Sequence, residues 1–468
     1  MGGVKKINGL ELGRTEIAEM GQATVDFVGD FIEGLSNANA NGLQAVDAKD
    51  TERLVTELVR APLEDATPFA ALLSTFGRAA ASAFETAGPG YLAYIPGGGL
   101  PEAALAEWLA GTVNRYTGFA ATAPALVAME HGVVRWLCDE FGLPGTAGGI
   151  VTTGGSMATL SAVVAARHAY LGEEIHRGTA YVTEHTHYCS AKAAAIAGIP
   201  ASRVRTVPTT PELHMDVEAA ARMIAADRAE GLRPFLLVGT AGTTDTGAID
   251  PLGEIGALAR REDMWFHVDA AYGGFFQLTA RGKSKFAGIE TADSITLDPH
   301  KGLFVPYGTG MLLVRDPNAL RAAHAGGGYV LQDLDKGSAL PDYATLGPEL
   351  SREFRGLRLW LPLRLHGVRA FRDALDEKLD LTEYLHRELK SDARLELPWP
   401  PELSVVAFRK RGDDEQNQRL LERINASGRI FSSSTRIRNR YVLRLCILSF
   451  RTHADRIAEG IEIVRRAI

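Results

Sequence analysis

The sequence predicts an α/β fold built on a mainly parallel sheet, with a smaller α+β region after it, and three observations carry that prediction. From about Ile150, short apolar runs ending in small or polar residues alternate with alanine-rich helical segments. Such alternation implies neighbouring strands that run parallel under helices on both faces. After about Leu365 the order becomes a helix, then the alternating strands LSVVAFRKR and YVLRLCILSF, then a terminal helix. The polar residues with chemical potential fall at the carboxyl ends of the apolar runs, where open parallel sheets hold their ligands.

The elements follow in chain order. Residues 1–90 read as helices that cannot form a core alone. ATVDFVGDFIEGL has an amphipathic period, SNANANGLQ is a polar loop, and RLVTELVRA and PFAALLSTFGRAAASAF continue the helical pattern. GPGYLAYIPGGGLP (88–101) then sets a short aromatic strand between prolines and glycines, as a shaped loop or a boundary. GGIVTTGGSMATLSAVVAARHAYL reads as strand, glycine turn and helix, and TAYVTEHTHYCSAKAAAIAG repeats the plan. RPFLLVGTAGTTDTGAIDPLGEIGALARRED does so again, and MWFHVDAAYGG and DSITLDPHK add two strands. The expected divisions are a helical segment 1–90, a large α/β domain 91–362 and a small α+β domain 363–468.

Composition narrows the classes. Of 468 residues, 46% are hydrophobic and 23% charged, an ordinary globular balance. A formal net charge of −7 argues against a protein that coats nucleic acid. Cys138, Cys189 and Cys446 form no C-x-x-C pair, so buried free thiols are expected and a zinc site is not. The first twenty residues lack the apolar core of a secretory signal, and no run of eighteen apolar residues occurs, so a cytoplasmic protein with no membrane span is expected. Six arginines between Ser351 and Asp373 recur at helical spacing and read as the charged face of an amphipathic helix.

The chemistry gathers at strand ends. In TTGGSMATL, Gly154 and Gly155 follow a strand and Ser156 opens a helix, so free N–H groups and a positive helix end favour an anion such as phosphate. The G-x-G-x-x-G spacing of a dinucleotide site is missing. In FHVDAAYGG, Asp269 ends an apolar strand among small residues that would let a flat object lie close. A carboxylate buried there needs a cationic partner. His187 in TEHTHYCS follows another strand, and His185 points the other way if the chain is extended there. Thr243 and Thr244 offer hydroxyls at a third strand end, and Lys301 in LDPHKGL stands at a fourth. A phosphate turn, a carboxylate for a ring nitrogen, a planar group to stack and a lysine amine together describe pyridoxal 5′-phosphate held as a Schiff base. No metal is expected.

With these motifs the sequence resembles the group II pyridoxal-phosphate amino-acid decarboxylases, among them the aromatic-L-amino-acid, tyrosine, tryptophan, histidine and glutamate decarboxylases. The resemblance runs from GPGYLAYIP to RYVLRLCILSFRTH, about three quarters of the chain. DPHK is similar to the family's N-P-H-K lysine motif, and HVDAAYGG matches its ring-nitrogen aspartate segment. The resemblance implies the aspartate aminotransferase-like fold (fold type I). It implies that Lys301 carries the cofactor, Asp269 pairs with the ring nitrogen, and His187 stacks on the ring. It also implies that Gly155, Ser156, Thr244, Ala271 and His300 hold the phosphate or the ring's surroundings. Asp298 and Gly302 depart from the family's usual asparagine and common tryptophan, and Gly97 replaces a small or hydroxyl-bearing residue.

The resemblance further implies a homodimer with its active site at the interface and the N-terminal helices wrapped on the partner. It places a catalytic tyrosine near the start of the glycine-rich loop 326–347. Tyr329 occupies that position and Tyr343 competes with it. Relatives that make aldehydes tend to carry phenylalanine there or a changed stacking histidine, whereas Tyr329 and His187 are both present. Tyr94, Gly97 and Phe119 are the expected substrate contacts. Pro96 and the Gly97–Gly99 run suggest a roomy loop, and Tyr91, Tyr94, Tyr116 and Phe119 suit a flat apolar side chain. The expected activity is decarboxylation of an aromatic L-amino acid (tyrosine, tryptophan, phenylalanine or dihydroxyphenylalanine). Arg115 keeps an acidic substrate open, and Arg444, Arg352 or Arg355 would serve an aminotransferase. An aldehyde synthase and a non-enzymatic cofactor carrier complete the alternatives.

Overall fold

The computed structural model describes residues 10–41, 46–324 and 339–468. Seven strands form the large sheet: β1 (Gly148–Thr152), β2 (Gly178–Thr183), β3 (Val204–Val207), β4 (Arg233–Thr240), β5 (Trp265–Asp269), β6 (Ser294–Leu297) and β7 (Gly310–Val314). Their order is β1-β7-β6-β5-β4-β2-β3. β7 runs antiparallel to both β1 and β6, and the remaining pairs are parallel. Alternate residues of each strand point to opposite faces, and both faces are dry except along the edge strand β3. Val151, Leu237 and Leu313 join one core cluster, while Ile150, Leu236 and Leu312 join another. This double burial explains the near-continuous apolar strands.

A second, antiparallel sheet of β8 (Leu395–Glu396), β9 (Val405–Lys410), β10 (Ser433–Ile437) and β11 (Arg440–Cys446) lies in the C-terminal region, in the order β10-β11-β9-β8. The long helix Gly356–Lys390 leads into it and bends at Gly367, whose φ is 72°. The boundary expected between 362 and 363 falls inside this helix. The aromatic stretch at 88–101 forms no regular strand. Instead Leu92 donates its N–H to Phe431 and accepts from Cys446, so residues 90–93 are stitched to the small sheet although they precede the large one.

The arginine-rich segment also differs from expectation, because two of its six arginines precede the helix and are buried. Arg352 grips Glu130 with two nitrogens at 2.7 and 3.2 Å and also donates to the Val151 carbonyl. Arg355 pairs with Glu349 at 2.7 Å. Arginine fits such positions because its planar fork matches a carboxylate. All three cysteines are free and buried. No helix among the described residues is long and apolar enough to cross a membrane. The helices Arg14–Gly34 and Phe69–Ala81 bury no residue in this chain.

A buried polar chain runs behind the strand ends. Trp265 Nε1 donates to Ser294 Oγ at 2.8 Å, Ser294 donates to His267 Nδ1 at 2.8 Å, and His267 Nε2 reaches Thr296 Oγ1 at 3.3 Å. Burial pushes His267 down to about 4. Between that value and the ordinary ~6.5 the unfolded chain binds a proton that the folded chain refuses. Stability therefore falls as pH drops through this window, by about 3 kcal/mol at its lower end. Denaturation midpoints at about pH 7 and about pH 4.5 will show the loss. His267→Gln, which has no such proton to bind, will show a smaller one.

Candidate active site

β4, β5 and β6 end in register, with Thr240 opposite Asp269 and Asp269 opposite Thr296. Beyond these ends opens a cavity of about 280 Å³, toward the lower end of small-molecule sites. Gly155, Ser156, His187, Thr244, Asp269, Ala271, His300 and Lys301 all line it. They come from five different strand-to-helix connections, and the parallel topology puts every such connection at one edge.

The turn before the helix Gly155–Leu171 is shaped by close approach. A Cβ at Gly155 would stand 2.9 Å from Asp298 Oδ2 and 3.3 Å from the Ala271 methyl. The first N–H groups of that helix lack intrahelical acceptors and face outward for an anion. Ala271 links the carboxylates: its N–H donates to Asp269 Oδ1 at 3.1 Å, and its carbonyl accepts from the Asp298 N–H at 3.2 Å. Asp269 itself is 5% exposed.

Lys301 lies in the short helix Pro299–Gly302, and its Nζ pairs with Asp298 Oδ2 at 2.9 Å. Burial alone would lower the ammonium, but Asp298 and then Asp269 outweigh it and hold Lys301 above its usual range. Burial pushes His187 below its ordinary value against the pull of Asp269. Its Nδ1 accepts the Cys189 N–H at 3.3 Å, so the neutral ring carries its proton on Nε2. His300 is likewise lowered by burial, and its Nδ1 donates to the Thr309 carbonyl at 2.7 Å. Gly302 admits no larger residue, since a Cβ there would meet Phe275 at 2.6 Å.

The expected substrate contacts fare differently. Tyr94, with φ of 51°, is held by its N–H to Ser433 Oγ and does not line the cavity. Gly97 lies at its border, where a Cβ would be 3.1 Å from both the His300 carbonyl and the Tyr307 ring. At Gly98 a Cβ would be 2.5 Å from that of Phe304. These glycines therefore permit tight packing on the lysine segment rather than a roomy loop. Phe119 is buried beside Tyr116 and is not brought to the cavity. Tyr343 is fully buried under Arg352, 4.6 Å from its ring centroid, away from the cavity. Tyr329 lies outside the described residues.

Other assignments shift too. His185 occupies a turn, not an extended segment, and bonds Asp245 at 3.2 Å. Thr243 is tied into its own loop through Thr246 and Ala248. Arg444 has all three nitrogens committed to the Asp245 carbonyl, Ser433 Oγ and the Thr244 carbonyl. Arg115 donates to Val113 and stays outside. Thr240, at the polar end of an apolar run, joins the site without having been singled out for it, and Asp298, noted only as a departure from the family's asparagine, joins it as the lysine's partner. The first was legible as the last residue of RPFLLVGT; the second needs the turn of a short helix to be seen.

A lysine amine and a buried carboxylate lining one cavity, beside a glycine turn at a helix N-terminus, serve a pyridoxal-phosphate enzyme of the aminotransferase-like fold. The residues present fit that cofactor: Thr240 Oγ1 and Asp298 Oδ1 are buried at the cavity with no hydrogen-bond partner, and small residues leave the turn open. Comparison with known proteins agrees. Residues 59–411 match the pyridoxal-dependent decarboxylase conserved domain. An aromatic-L-amino-acid decarboxylase of Bacillus atrophaeus is 30% identical over 96% of this chain and 95% of its own. The crystal structure of Oryza sativa TDC with PLP and tryptamine superposes with a TM-score of 0.92 at 26% identity, covering 98% of each chain. That of Rhodiola rosea 4-hydroxyphenylacetaldehyde synthase superposes at 0.90 with 24% identity over 97% of this chain and 98% of its own, a likeness of fold. The chain belongs to the pyridoxal-dependent decarboxylase family, and is a carboxy-lyase that uses pyridoxal phosphate.

Proposed function

We propose that the chain decarboxylates an aromatic L-amino acid to the amine and CO₂. The observation that carries the substrate class is the shortage of free cations: among the described residues lining the cavity, Lys301 is the only lysine or arginine, and it faces Asp298. A substrate with a distal carboxylate would meet no free counter-charge among the described residues that line the cavity, and Arg444, Arg352 and Arg355 are already bonded elsewhere. The aromatic-L-amino-acid decarboxylase among the relatives supports the same choice.

Pyridoxal phosphate supplies an electron sink for the pair released at the substrate's α-carbon. With the cofactor bound, Lys301 would hold it through its amine, and Asp269 would hold a proton at the ring nitrogen so that the sink stays deep. His187 would pack against the cofactor as a neutral ring. The helix opening at Gly155 and Ser156 binds the phosphate, with Thr244, Ala271 and His300 shaping its surroundings. Outside the cavity lining itself, Gly97 and, beyond it, Tyr94 would border the substrate, and Tyr329 would be the acid that returns a proton to carbon.

We further propose a cytoplasmic homodimer. Free buried thiols suit a reducing compartment. Ile17, Val25, Val28, Phe76, Trp108 and Leu109 are exposed in the single chain, an apolar surface that a second copy would cover, with Phe119 reaching the partner's site. A fully active monomer at high dilution would count against this.

The decisive assay offers each amino acid and dihydroxyphenylalanine in turn and follows CO₂, amine, aldehyde and 2-oxo acid together. Equal amine and CO₂ from the aromatic substrates, without aldehyde or oxo acid, is the expected result. Faster turnover of glutamate or aspartate would overturn the substrate, and aldehyde as the main product would overturn the reaction.

A further inference from the structure

Asp298 has two unlike oxygens. Its side chain is 4% exposed, and Oδ2 pairs with Lys301, whereas Oδ1 is buried without a hydrogen-bond partner. Both oxygens face the glycine turn, 2.9 and 3.2 Å from where a Gly155 Cβ would lie. The carboxylate therefore shares the place where the cofactor's phosphate binds. Around it stand Lys301, His300 with Nε2 at 3.7 Å, and, across the cavity, His187 and Asp269. Cys189, pushed up to about 12 by burial, is a neutral thiol. One lysine thus faces two carboxylates before any phosphate arrives.

A phosphate monoester carries roughly −1.5 to −2 charges at neutral pH. A bare carboxylate only accepts hydrogen bonds and repels a phosphate oxygen beside it, whereas one proton shared between them makes a strong O–H···O⁻ bond. We propose that Asp298 makes phosphate capture proton-linked in this chain: the phosphate enters with one proton from solvent, shared by the Asp298 carboxyl and a phosphate oxygen. The two groups then titrate as a pair. The inference rests on the cofactor and is independent of which amino acid is the substrate.

The test uses the full chain freed of cofactor and pyridoxamine 5′-phosphate, whose amine cannot condense with Lys301. Calorimetry at about pH 8 in two buffers of different ionisation enthalpy is expected to show uptake of about one proton per site. Kd should weaken by about tenfold per pH unit between about pH 7 and about pH 9. Asp298→Asn, whose amide donates without a proton from solvent, should lose most of the uptake, flatten the profile and bind more tightly than wild type at the alkaline end. Wild-type binding with no uptake and a flat profile overturns the proposal whether or not the variant folds. Undiminished uptake in the variant also overturns it, by placing the proton on the ring nitrogen beside Asp269, on His300 or on His187. No binding at any pH overturns the cofactor assignment as well, which sets that failure apart.

Discussion

Lys301→Ala is expected to lose roughly 10⁴-fold or more of kcat/KM, the scale on which removing a covalent catalytic group acts. The loss should be accompanied by disappearance of the visible band of the bound cofactor. Borohydride treatment followed by mass spectrometry should then leave the variant unlabelled, while wild type carries the reduced cofactor on the Pro299–Gly302 segment. Label on another residue, or an active unlabelled variant, would remove the lysine from its role. The alanine also leaves Asp298 without its partner at 2.9 Å. Lys301→Arg, which restores a positive charge but not a primary amine, should therefore stay inactive while recovering whatever stability the alanine loses.

The largest effect on stability is expected away from the cavity, at Arg352. The side chains of Arg352 and Glu130 are both 0% exposed, and their two-pronged bond is reinforced by the Val151 carbonyl and the Tyr343 ring. Arg352→Met would leave a carboxylate buried with no counter-charge, a change that costs about 3–5 kcal/mol. Removing both charges together, as in Glu130→Leu with Arg352→Met, should cost far less, because the penalty lies in the abandoned partner and not in the lost bond. Denaturant midpoints at one fixed protein concentration would measure the cycle, and equal losses in single and double variants would contradict it.

These two residues also mark where the sequence was readable and where it was not. Asp269 ends an apolar strand, His187 and Lys301 lie a few residues beyond two others, and a parallel sheet delivers all such ends to one edge, so pattern and topology suffice to group them. Arg352 sits in a run of arginines at helical spacing, and nothing local distinguishes the two that turn inward to Glu130 and Glu349. For Arg352 that distinction depends on Glu130, more than two hundred positions away, and for Arg355 on Glu349, only six positions away but brought round by the turn before the helix. Gly97 and Gly98 mislead for a related reason. Glycine marks conformational freedom or close approach equally well, and only the neighbours His300, Phe304 and Tyr307 decide for the second. Tyr94 and Phe119 are aromatic and near in sequence, and composition does not say that neither would line the cavity of its own chain.

The stitching of residues 90–93 to the small sheet has a mechanical outcome. Leu92 is clasped between Phe431 and Cys446, and only a few residues later Gly97 and Gly98 press on the backbone that carries Lys301. This strap thus ties the C-terminal sheet to the backbone on either side of the reactive amine, at His300 and Phe304. Anyone transplanting the strap from a relative to change substrate preference should bring its anchor at Phe431 with it, or the amine will be re-aimed.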